Sequence, residues 1–136
     1  MLKPNIENFI GCDCDYERSR MVLYGAPFDS TTSFRPGARF GPSAMRHESF
    51  GLETYSPYQD ADLTERAVFD SGDLELCFGS AQTALEAIEA RAAEILQDGK
   101  FPLLLGGEHL VTLGAVRAAV KRYPELHIIH FDAHAD

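Results

Sequence analysis

The chain has 136 residues, 45% of them hydrophobic and 24% charged, a globular balance that argues against disorder and suits one domain rather than two. Its 21 acidic residues outnumber 12 basic ones, and the net charge of −9 repels phosphate backbones, which speaks against nucleic-acid binding and favours solubility. No apolar run approaches the roughly 18 residues of a membrane helix, and residues 1–7 lack the apolar core of a secretory signal.

Cys12, Cys14 and Cys77 make no disulfide framework, so they read as free surface thiols of a cytosolic protein. Met21–Ala26, closed by Pro27, is a short apolar run that predicts a buried strand. Residues 28–40 form a loop rich in Ser, Thr, Gly and Arg, in which Arg35 and Arg39 are ordinary surface arginines, brace a subunit contact or rim a site. Gly41-Pro42-Ser43 reads as a helix start, because the missing N–H of proline costs nothing in a first turn. The helix is expected over 44–50, with His47 exposed on it.

Residues 51–66 read as irregular polar chain, 67–70 as a short strand, and Ser71-Gly72-Asp73 as the turn that ends it. Ala81, Ala84, Leu85, Ile88, Ala92, Ile95 and Leu96 recur at helical spacing, and Gly99 stands where a C-terminal cap belongs. Residues 101–105 predict a buried strand running into Gly106-Gly107. A second amphipathic helix is expected over 108–123, with Leu110, Leu113, Val116 and Val120 turned inward and Pro124 stopping it. Residues 126–131 predict a last strand. Strands joined by helical crossovers imply an α/β fold with a mostly parallel sheet and helices on both faces.

Two segments at strand ends carry the chemistry: Gly106-Gly107-Glu108-His109, and Asp132-x-His134-x-Asp136. Ligands of open parallel sheets gather beyond the carboxyl ends of the strands. Glycines there allow a close backbone approach to a ligand. In an extended chain, positions 132, 134 and 136 face one side. Such a cluster of ionisable groups is costly unless a cation compensates it. Imidazole with carboxylate and no thiolate favours an ion such as Mn²⁺, and a pair of such ions brings the ionisation of water toward neutral pH. His130 shares the parity of Asp132 and reads either as a supporting group for it or as a satisfied buried histidine. His127 has the opposite parity and reads as packing or surface. Glu108 either orients His109 or answers the dipole of a first helical turn.

Both segments resemble the metal motifs of the arginase (ureohydrolase) family. Tyr24-Gly25-Ala26-Pro27-Phe28-Asp29-Ser30, the run from Ser33 to Pro42, and the stretch GGEHLVT from Gly106 to Thr112 resemble its agmatinase branch more closely than arginase itself. The resemblance implies a three-layer α/β/α sandwich, a trimeric or hexameric assembly and two Mn²⁺ ions. It implies that His109 binds the first ion and His134 the second, that Asp132 bridges them, and that Asp136 adds a ligand to the first. The implied reaction is hydrolysis of a small cationic guanidino compound, foremost agmatine to putrescine and urea. Guanidinobutyrate, guanidinopropionate and formiminoglutamate remain alternative substrates. The family's later Asp-x-Asp ligands lie outside the sequence, so residues 1–136 read as one incomplete domain holding four of six ligands, with activity of the isolated chain open. A non-catalytic fragment or subunit is the competing reading, and a metal-dependent deacetylase a remoter one.

Overall fold

The computed structural model describes residues 2–133. In chain order its main elements are β1 (Met21–Ala26), α1 (Gly41–Ser49), β2 (Tyr55–Ser56), β3 (Ala61–Asp62), β4 (Val68–Asp73), α2 (Ala81–Gln97), β5 (Phe101–Gly106) and α3 (Val111–Arg122). Central strand β1 pairs in parallel with β4 on one side and β5 on the other. Parallel strands need a crossover, and α2 supplies the one from β4 to β5.

Alternation along β1 decides what lies on each face. Val22, Tyr24 and Ala26 join Ile88, Ala92 and Ile95 of α2 and Val111 and Ala118 of α3 in the main core. Fully buried apolar side chains such as Ile88 and Ile95 each contribute about 1.5–3 kcal/mol. Leu23 points the other way and packs with Cys12 and Val68, flanked by Phe9, Leu63 and Leu103. Gly25 shares that parity, and a Cβ on it would come within 2.9 Å of Cβ of Pro42 in α1. The sheet is therefore covered on both faces, as the alternating pattern of elements implied.

α1 is pinned from beneath. Its Arg46 is 2% exposed and donates to Asp70 from Nε at 2.8 Å and Nη2 at 3.0 Å, and to Asp73 from Nη1. Asp70, 1% exposed, also accepts from the amides of Phe9 and Gly72, so the N-terminal segment and β4 are tied to the same carboxylate. At the end of α2, Gly99 adopts φ +71, and the amides of Gly99 and Lys100 donate to Leu96 and Ile95. This is a left-handed cap that saturates the last carbonyls, as expected of Gly99.

Six expectations require correction. β5 is only partly buried, with Phe101 61% exposed, because it is an edge strand among the described residues. Residues 126–131 form no strand, because they find no ladder partner among the described residues. Ile128, Ile129 and Phe131 instead stand 63%, 82% and 93% exposed. The expected turn Ser71-Gly72-Asp73 continues β4, with an extra residue absorbed between the Leu23–Asp70 and Gly25–Asp73 pairs. Residues 51–66 include the small antiparallel β2–β3 pair. α3 turns Val111, Gly114 and Ala118 inward and leaves Leu113 and Val120 41% and 46% exposed, because its small side lies against α2. A Cβ on Gly114 would meet Ile88 at 2.8 Å. Lastly, Cys12 is buried rather than a surface thiol, since Asp13 bridges to Phe69 and draws it beneath the sheet. Burial foremost, with help from Asp70 and Asp13, pushes its thiol up to about 12.

Candidate metal centre

The strand β5 ends at Gly106, and residues 107–110 turn before α3 begins at Val111. Gly107 explains how the turn is placed. A Cβ there would lie 2.4 Å from the carbonyl oxygen of Phe28 and 2.5 Å from that of Ala26, so only glycine lets this turn lie against the end of β1. The close approach seen at Gly107 is to protein backbone. The amide of Glu108 then donates to the Phe28 carbonyl at 2.8 Å, and His109 follows at the carboxyl end of the sheet.

His109 does not stand alone. Its Nδ1 lies 3.6 Å from Oδ2 of Asp132, and Nε2 of His130 lies 3.3 Å from the same oxygen. The two imidazoles are 4.9 Å apart between ring centroids. One ligand atom from each of the three lies within 4.8 Å of the others. Two nitrogens and a carboxylate oxygen at that spacing suit a divalent cation of the Mn²⁺ type. The Asp132 side chain is 21% exposed, and the histidine side chains 56% and 48%, so the group is open to solvent.

Of the residues singled out in the sequence, His109 and Asp132 are brought together. His134 and Asp136 lie outside the described residues. His130 is neither buried nor remote from Asp132. Its parity was the one signal available, and the arrangement favours the supporting role over the satisfied core histidine. His127 is exposed, as is His47, whose Nδ1 lies 3.1 Å from Glu7.

A cleft of about 570 Å³ adjoins the group, lined by Thr31, Glu108, His109, Leu113, Ile128 and His130 among others. Thr31 brings the loop after β1 to its edge, and that loop is built on Asp29. This carboxylate, 2% exposed, accepts from Arg39 Nε at 2.5 Å, Gly37 N at 2.6 Å and Arg39 N at 3.2 Å. The Arg39 guanidinium foremost, with the two amides, holds Asp29 down at about 2 against the opposing effect of burial. Arg39 also lies 4.3 Å over the ring of Phe78, which stacks on Phe28. Arg39 is thus a brace within the chain. Arg35, at the exposed tip, lies over Phe34.

The Glu108 carboxylate is turned toward the loop after β1. The residue precedes α3 rather than sitting in its first turn, and its Oε1 accepts from Thr31, from N at 3.0 Å and from Oγ1 at 2.7 Å. Nothing in the spacing of the two residues could have announced this contact.

The model of the arginase family matches residues 19–136. Agmatinase from Bacillus subtilis (strain 168) is 52% identical over 128 residues, covering 94% of this chain and 44% of its own length. Proclavaminate amidino hydrolase from Streptomyces clavuligerus superposes with a TM-score of 0.84 at 31% identity, over 96% of this chain and 44% of that one. Formiminoglutamase from Trypanosoma cruzi, solved with Mn²⁺, superposes with a TM-score of 0.69 at 25% identity, over 81% of this chain and 39% of that one. The chain spans less than half the length of these relatives.

Proposed function

This chain belongs to the arginase family, and from that premise we propose that it supplies one side of a manganese site that hydrolyses a guanidino compound, foremost agmatine to putrescine and urea. The observation that carries the reading is the convergence of His109 and Asp132 at the carboxyl end of β5, with His130 beside them. In this proposal His109, Asp132, His134 and Asp136 hold the metal, four of the six ligands expected of a complete site. When bound, Mn²⁺ supplies the Lewis acidity that lets water lose a proton near neutral pH.

The chain's own residues do the rest. Asp132 supplies the negative charge that draws cations to the site, and His109 holds its imidazole on a turn fixed by Gly107. Leu113, Val116 and Ile128 give one wall of the cleft an apolar lining suited to an alkyl tail, while Thr31 and Glu108 make another part of it polar. We place the protein in the cytoplasm, where its unpaired cysteines stay reduced. No helix among the described residues is long and apolar enough to cross a membrane. Exposed Phe34, Phe40, Phe50 and Leu52 favour self-association, and we propose a trimer or hexamer.

The test is Mn²⁺ titration of the chain followed by electron paramagnetic resonance, with His109→Ala and Asp132→Asn in parallel. Saturable binding weakened about 10-fold or more by either change is expected. Binding indifferent to both changes would refute the assignment. Urea release from agmatine upon mixing with a complementary C-terminal half then tests the reaction itself.

A further inference from the structure

We propose that Glu108 is a positioning residue that holds Thr31, and through it the loop 30–36, at the edge of the cleft beside His109, and so fixes a surface met by the part of a guanidino substrate remote from the metal. The substrate clause rests on the function proposed above, whereas the positioning role does not.

The excursion from 30 to 36 leaves and returns at one point. Asp29 precedes it, and the same carboxylate accepts from Gly37 and Arg39 on the far side. Within it, the amide and hydroxyl of Thr32 donate to the Asp29 carbonyl at 3.4 and 3.0 Å, which ties the loop only to its own base. Phe34 and Arg35 stack on each other at the tip, where Phe34 is 81% exposed. Among the described residues, the hydrogen bonds that carry this excursion to another element are the two from Thr31 to Glu108. One carboxylate oxygen accepts both, and bonds to a charged acceptor are stronger than neutral ones.

What Glu108 offers is a rigid anchor. Its backbone amide donates to the Phe28 carbonyl, and the preceding Gly107 is wedged against main-chain atoms of Ala26 and Phe28. Its next neighbour is His109. The loop therefore takes its place from the same turn that places the metal-binding imidazole, and a substrate bridging the two meets a preset distance between them. A residue at this position that could not accept from Thr31 would leave the base of the loop intact and release its rim.

Amide hydrogen exchange on the metal-free chain tests this with Glu108→Ala, Glu108→Gln and Thr31→Val. Glu108→Ala is expected to speed exchange of the Thr31 amide about 10-fold or more while leaving β1 and α2 unchanged. Glu108→Gln keeps an accepting oxygen but loses its charge, and should exchange more slowly than Glu108→Ala though faster than wild type. Thr31→Val, which keeps the amide and loses the hydroxyl, should fall between them. Unchanged Thr31 exchange in Glu108→Ala, or acceleration spread evenly through the sheet, would overturn the proposal.

Added Mn²⁺ gives a second readout. Its paramagnetic broadening of the 31–35 amides should be strong in wild type and weaker in Glu108→Ala, and equal broadening in both would count against the positioning role. If Mn²⁺ leaves the wild-type spectrum untouched, the metal assignment fails, and exchange on the metal-free chain alone decides the role of Glu108.

Discussion

Replacing Gly107 by alanine adds one methyl group where three main-chain atoms already stand. The new Cβ would lie 2.4 Å from the Phe28 oxygen, 2.5 Å from the Ala26 oxygen and 2.9 Å from the Phe28 nitrogen. Ordinary carbon–oxygen contact begins near 3.3 Å, so the turn must retreat by roughly 0.8–0.9 Å. No side chain can rotate away to relieve this. Overpacking of that kind costs about 1–3 kcal/mol, a melting temperature lower by about 4–15 °C. The retreat also stretches the 2.8 Å bond from Glu108 to Phe28 and carries His109 away from Asp132. Metal ligands tolerate displacements of only about 0.2 Å, so Mn²⁺ affinity should fall about 10-fold or more. Gly106→Ala is the control: its Cβ would meet a side-chain methyl of Val111 at 3.2 Å, which can yield. Thermal melts and Mn²⁺ titrations of both variants suffice. If Gly107→Ala melts and binds like wild type, the close approach of turn and strand is refuted.

Two further outcomes are expected. Arg46→Ala removes the partner of the buried Asp70 and of Asp73, and should cost about 3–5 kcal/mol in urea unfolding at neutral pH; a loss below about 1 kcal/mol would contradict the buried network. Asp29 has a depressed folded-state pKa, so its stabilising contribution is complete above the ordinary carboxylate range near ~4 and is lost as pH falls through about 2. The amide shifts of Gly37 and Arg39 should titrate together with a midpoint near 2, and a midpoint near 4 would mean that the clamp is absent.

Local signals were legible where one element satisfied them by itself. The period of α2 and its Gly99 cap correspond to what formed. Residues 126–131 have the composition of a strand, but a ladder is a property of two segments, and no neighbour pairs with this one among the described residues. In α3 the larger apolar residues suggested the buried side, whereas the contact with α2 runs through Gly114, where the absence of a side chain is what permits packing. At the site, motif spacing singled out His109 and Asp132. It gave no hint of Thr31, which meets Glu108 from 77 residues away. Long-range contacts of that sort leave no period in a sequence.

The single carboxylate at the foot of the rim loop separates two design problems. Since Asp29 gathers both ends of the excursion, residues between 33 and 36 can be added or removed without moving either the strand or the metal turn. Lengthening such a loop is cheap, about 0.6 kcal/mol for each doubling. A lineage could therefore explore new tip sequences while the turn that carries His109 stays in place.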